Sequence, residues 1–155
     1  MSGRMTARTT GARGCGVPDS IVALLREAGW QAPPDDGRRD PAGERLLASL
    51  AGLSLGKTGA GRETAASDVA FYERPCEPDE DESLEGLPWR GRTGPLRAVA
   101  DAHHNHMIVL LDAAGAAYVY TVPDGKLYRL GASLGEALER LLLGISYGPA
   151  IDEDD

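Results

Sequence analysis

Thiols are scarce in this chain. Cys15 and Cys76 are the only two cysteines in 155 residues, and neither has a C-x-x-C partner or a second ligand at metal spacing. A disulfide framework and a thiolate metal centre are therefore not expected, and a reducing, cytoplasmic setting is. Long apolar runs are missing too: nothing approaches the roughly 18 to 20 residues that a membrane helix requires. The first sixteen residues carry Arg4, Arg8 and Arg13 but no apolar stretch of the kind a secretory signal needs, so residues 1–16 are expected to be a disordered leader. The common motifs of nucleophilic and metal catalysis are also lacking, with no G-x-S-x-G, no H-E-x-x-H and no H-x-x-x-H.

Basic charge runs short where folding is expected. With three arginines and no acid in the leader, residues 17–155 hold 13 basic against 24 acidic side chains, a net −11. Such a field repels nucleic-acid phosphates and draws in cationic surfaces, so direct binding of DNA or RNA is disfavoured and a basic protein partner is favoured.

What the chain does contain is clearest in its last third. Met107–Leu111 and Ala117–Val122 are β-rich runs joined by Asp112, Ala113, Ala114 and Gly115, a spacing that predicts a hairpin. After a turn at Pro123, Asp124 and Gly125, the run Leu127–Leu130 continues the sheet. Ser133 and Glu136 form an S-x-x-E capping box before Leu134, Leu138, Leu141 and Leu142, which fall on one helical stripe that Gly144 ends. Earlier, Pro18 opens a helix bearing Ile21, Leu24, Leu25 and Ala28, closed by Gly29 before Trp30. Asp40 and Pro41 are read as the start of a second helix carrying Leu46, Leu47 and Leu50, closed by Gly52. Leu53–Leu55 and Asp68–Tyr72 read as strands, and Gly56–Ser67, rich in Gly, Thr and Ala, as a mobile loop. The expected fold is a single α+β domain with a central, largely antiparallel β-sheet and packed helices.

Candidate chemistry is sparse. Ala51–Thr58, AGLSLGKT, has the spacing of a phosphate loop with Ala in place of the first Gly. A working phosphate loop runs from a buried strand into a helix, whereas here helical periodicity comes before and two more glycines follow, so a turn with a solvated Lys57 is expected. All three histidines crowd into His103, His104 and His106. In an extended segment His104 and His106 would share a face and could hold a metal with Asp101 or Asp112; the alternative is a polar turn between two strands. Cys76 lies among Glu77, Asp79 and Glu80, whose negative charge disfavours a reactive thiolate. The run Glu77, Asp79, Glu80, Asp81, Glu82 and Glu85 is read either as a solubilising loop or as a surface for a basic partner, with Leu84, Leu87 and Trp89 as apolar anchors. Trp89 itself is open between an exposed anchor and a plug against the core.

In order along the chain, these pieces resemble the SUKH superfamily of SMI1/KNR4-like immunity proteins, and most closely its SUKH-3 group. The resemblance rests on Ala28-Gly29-Trp30 after the first helix, on Leu50 to Leu55 like the family's Phe-Gly-Gly-Leu segment, and on Pro95–Ala100 at the place of its Pro-Ile-Gly-Glu strand. It also rests on MIVLLDAAGAAYVY, like the family's hairpin, and on Leu130 to Gly144, like its final helix. Ala51 replaces the first family Gly, Pro-Ile-Gly-Glu is degraded, and Ala70–Arg92 is longer and more acidic than the family pattern. The resemblance spans residues 17–148 and leaves 149–155 as an acidic tail. It implies a non-enzymatic protein that binds and neutralises a cognate polymorphic toxin, often a nuclease or deaminase. No cofactor, metal or catalytic residue is implied. A small nucleotide-binding enzyme using AGLSLGKT, or a housekeeping interaction scaffold of the same superfamily, are the alternatives.

Overall fold

The computed structural model describes residues 17–32, 44–76, 96–104, 106–121, 125–147 and 150–151. A 3-10 turn, Asp19–Ile21, leads into helix α1, Val22–Glu27, and the chain then reverses at Gly29 with φ +100°. Pro18, with φ −63°, already holds the dihedral that the turn needs and has no N–H to leave unpaired. Ile21 and Leu25, one turn apart, are both fully buried. Trp30 follows them into the core, and its indole N–H donates to Ser49 Oγ at 2.8 Å, so the one polar atom of the ring is paired. Ser49 belongs to helix α2, Glu44–Leu50, which buries Leu46, Leu47 and Leu50. The expected caps of α2, Asp40 and Pro41, lie outside the described residues.

Eight strands and one helix follow: β1 Ser54–Leu55, β2 Gly59–Ala60, β3 Ala65–Ala66, β4 Val69–Cys76, β5 Arg97–Ala102, β6 Met107–Leu111, β7 Ala117–Thr121, β8 Lys126–Gly131 and α3 Leu134–Leu143. Six of the strands form one sheet in the order β1-β4-β5-β6-β7-β8, and every neighbouring pair is antiparallel. The α+β architecture expected from the periodicities is the one observed. All three helices pack on one face, where Ile21, Leu25, Leu50 and Leu138 meet Val69, Val99, Val109, Val119 and Leu130. The other face carries a second cluster of Leu96, Ala98, Leu110, Tyr118 and Leu127, joined by Tyr72, Ile108, Tyr120 and Ile151. Two apolar faces explain why β6 reads as the unbroken run MIVLL: Val109 and Leu111 point toward the helices while Ile108 and Leu110 point away. Beyond β8, Ala150 bridges to Tyr128 and the Ile151 N–H donates to Leu127 O at 2.7 Å, so the chain adds a last short rung to that edge.

The segment Gly56–Ser67, expected as a mobile loop, is instead largely structured. Strands β2 and β3 pair with each other and the turn between them is laid against the end of α3. The backbone N–H groups of Arg62, Glu63, Thr64 and Ser67 donate to Leu143 O, Gly144 O, Gly144 O and Leu141 O, each at 2.8 Å. These donors satisfy carbonyls that a helix C-terminus leaves without partners. The approach is close enough to exclude side chains, since a Cβ on Gly61 would collide with Thr64 O and with Gly144 Cα. At the other end of α3, Ser133 Oγ accepts from Glu136 N at 3.2 Å, and Glu136 Oε2 accepts from Ala132 N at 3.3 Å. The capping box is therefore present, with its return bond one residue upstream of the N-cap. Gly144 closes the helix at φ +70°, ψ +53°.

Candidate functional site

The histidines form the turn between β5 and β6. His103 and His104 both have positive φ, 52° and 54°, which few non-glycine residues adopt and which the surrounding bonds hold in place. The His103 N–H donates to Asp68 O and the His104 N–H to the Asp68 carboxylate, at 2.9 and 3.0 Å. One ring nitrogen of each is also engaged: His103 Nδ1 lies 3.2 Å from Ser67 Oγ and His104 Nε2 lies 2.9 Å from Thr58 Oγ1. Asp112 stands beyond the far end of five-residue β6, about 20 Å from His106 along the strand, and the Asp101 carboxylate accepts from Tyr72 OH at 2.8 Å. The polar-turn reading is the one the geometry follows, and among the described residues no three His, Cys, Asp or Glu side chains converge on a metal position. Ser67, only 1% exposed, faces both the His103 ring and the Tyr147 hydroxyl. Burial raises the pKa of Tyr147, with the neighbouring Tyr128 adding to the rise and the Ser67 hydrogen bond opposing it.

AGLSLGKT runs from the end of α2 through β1 into β2. The order is helix, strand, strand, and no helix N-terminus among the described residues follows Lys57 to cradle a phosphate; Lys57 itself is exposed. Asp112, the acid that ends MIVLL, is committed to its own loop. Its Oδ1 accepts from the N–H of Ala114 and of Ala116, both at 2.9 Å, while Oδ2 accepts from Tyr118 OH at 3.3 Å. Burial chiefly raises the Tyr118 pKa, the Asp112 charge and hydrogen bond add to this, and Arg129 opposes them.

The acidic run Glu77, Asp79, Glu80, Asp81, Glu82 and Glu85, together with Leu84, Leu87 and Trp89, lies outside the described residues. The strand that delivers it does not. Phe71 pairs with Ala100 and Cys76 with Ala98, so Tyr72 to Pro75 stand opposite the single residue Val99 and bulge out of the ladder. Between this bulge and α2 lies a cleft of about 230 Å³. Leu47 and Ala48 of α2 and Ala51 just after it form one wall, the bulge forms the other, and Val99 is a further apolar lining residue. Glu44, Glu73 and Arg74 are charged lining residues, and Glu44 pairs with Arg97 at 2.5 Å. The cleft needs the tertiary packing of α2 on the sheet. The sequence reading missed it; Pro75, three residues beyond the strand-like run Asp68–Tyr72, and the small residues Ala48 and Ala51, three positions apart, are the signals that could have found it.

No helix among the described residues is long and apolar enough to cross a membrane. Comparison with family models, with curated proteins and with solved structures returns no match to this chain.

Proposed function

We propose that this protein is a cytoplasmic immunity protein of the SUKH type, which binds a cognate bacterial toxin domain with a basic surface and blocks it without catalysis. The observation that carries the reading is charge: residues 17–155 hold a net −11, and six acids fall between Glu77 and Glu85. A toxin that acts on nucleic acid presents a cationic face, and an acidic inhibitor is steered to that face and competes with phosphate for it. The ordered run of motifs from Ala28 to Gly144 adds to this. So does the local use of the groups most suited to chemistry, since Asp112 binds its own loop and the His103 and His104 rings face Ser67 and Thr58.

Co-expression provides the test. The toxin domain encoded beside this gene should arrest growth alone, lose its toxicity when this chain is co-expressed, and co-purify with it. Replacing Asp79, Glu80, Asp81 and Glu82 by Asn or Gln should slow association and flatten its dependence on salt, because steering acts on the on-rate. Unrelieved growth arrest and no complex would sink the immunity reading. Saturable binding of ATP or GTP with Mg²⁺, lost in Lys57→Ala, would replace it with a nucleotide-binding one.

A further inference from the structure

We infer that the β5–β6 turn carries a two-histidine site for a divalent cation of the zinc, nickel and copper group, held by His103 Nε2 and a ring nitrogen of His106 and completed by water. The inference goes beyond the immunity reading and does not depend on it. The direction of a hydrogen-bond chain argues first. The Tyr147 hydroxyl donates to Met107 Sδ, so its hydrogen is used. Ser67 acts on Tyr147 in the sense that lowers its pKa, as a hydroxyl does when it donates to the phenolic oxygen, so the single hydrogen of Ser67 is used as well. Ser67 Oγ then accepts from His103 Nδ1, 3.2 Å away, and Nδ1 must carry the proton. The lone pair of the neutral imidazole is left on Nε2. A metal-binding histidine is usually held this way, its other ring N–H donated to a protein acceptor, and Ser67 is buried enough to fix the ring.

Geometry supplies the second ligand. The His106 N–H donates to His103 O at 3.1 Å, so the two residues are the ends of one β-turn, with Cα atoms within about 7 Å. Asp68 anchors that turn from outside through the backbone N–H groups of His103 and His104. The His103 and His106 rings have centroids 6.3 Å apart and planes inclined at 45°. One ion bonded at about 2.0 to 2.1 Å to two imidazole nitrogens sets the ring centroids about 5 to 6.5 Å apart, so a shift of about 1 Å or less in the exposed His106 side chain brings both rings onto it. The His106 ring nitrogens have no hydrogen bond to give up among the described residues. His104 is placed otherwise, with Nε2 on Thr58 Oγ1 at 2.9 Å. Two protein ligands agree with the absence, among the described residues, of any three-ligand cluster. Nearby charge favours a cation, since Asp68 bonds the turn and Asp101 precedes His103 by two positions, against the single Lys57 beside Thr58. Imidazole nitrogen selects zinc, nickel and copper over magnesium and calcium, which take oxygen.

Imidazole ¹⁵N spectra provide the test. The full chain, stripped with EDTA and labelled with ¹⁵N, is titrated with zinc chloride at neutral pH. Before metal, His103 should show the Nδ1–H tautomer. With zinc, His103 Nε2 and one His106 nitrogen should shift and saturate together while the His104 ring stays in place. By calorimetry, His103→Asn, which tolerates positive φ and keeps an N–H for Ser67, and independently His106→Gln should weaken binding about tenfold or more, whereas His104→Asn should leave it within about twofold. Nickel chloride should give the same pattern and magnesium chloride no binding. The wild-type spectra decide the ligands even where a variant fails to fold. An Nε2–H tautomer of His103 in the zinc-free protein, no saturable zinc binding, zinc shifts that bypass the His103 and His106 rings, or loss of binding in His104→Asn alone would each overturn the site.

Discussion

Tyr147 shows how much a single side chain in this protein is asked to do. Its ring lies 5.9 Å from that of Tyr128, its hydroxyl is directed to Met107 Sδ at 3.7 Å, and Ser67 reaches it from the link between β3 and β4. Burial holds its pKa above the ordinary tyrosine value of about 10. Below that pH both the folded and unfolded chains keep the phenol protonated, and the contribution of the buried neutral ring is complete. As pH rises further the unfolded chain loses the proton first, the folded state binds more protons, and stability falls until the folded pKa is passed. Urea midpoints measured from pH 8 to 11 should therefore drop at the alkaline end, and Tyr147→Phe should reduce the drop. Tyr118, raised by burial and by Asp112, should add a share of its own. An identical alkaline slope in wild type and Tyr147→Phe would remove Tyr147 from the account. None of this was legible from the residue alone, because the environment of Tyr147 is assembled from β3–β4, β6 and β8, far apart in sequence.

At the scale of the elements, local signals and structure agree where the signal is short-range. Ser133, Glu136 and Gly144 mark the ends of α3 because caps depend on residues within one turn, and Ser133→Ala should cost about 1 kcal/mol in a denaturant melt. Leu138→Ala, at a fully buried position on the same helix, should cost about 2 to 5 kcal/mol; equal and negligible effects of the two would contradict the packing of α3. The β6–β7 hairpin was legible for the same reason, since Asp112 and Gly115 shape their own loop. Gly56–Ser67 was misread because its order comes from outside it: four N–H donors matched to carbonyls at the end of α3, some eighty residues on. Gly61→Ala should push the β2–β3 turn off α3 and cost about 1 to 3 kcal/mol, as overpacking at a close backbone contact does. Wild-type stability with unaltered amide exchange at Arg62 and Thr64 would show that the contact yields freely. The cleft was hidden for a related reason, because its two walls, α2 and the β4 bulge, meet only in the folded chain.

Across the whole molecule, the acid excess works against compactness. A net −11 over residues 17–155 repels itself, and raising NaCl from 0.05 to 1 M shortens the screening length to about 3 Å, so the melting temperature should rise with chloride salt. A fall over that range would mean that specific ion pairs such as Glu44–Arg97 outweigh the general repulsion. The connectivity of the sheet is simple, each strand from β4 to β8 pairing with the next in sequence, which favours local and rapid assembly. The clasp of the β2–β3 turn on α3 interrupts that locality. During synthesis from the N-terminus the donors of Arg62 to Ser67 leave the ribosome well before residues 141 to 144, and until those residues emerge the donors have only water and the helix side of the sheet lacks Leu134, Leu138 and Leu141. At roughly 5 to 20 residues per second this interval lasts several seconds. A chain released near residue 130 would therefore keep the meander but leave part of its helix-bearing face uncovered, a substrate for chaperones and proteases, and only addition of the last helix would withdraw it.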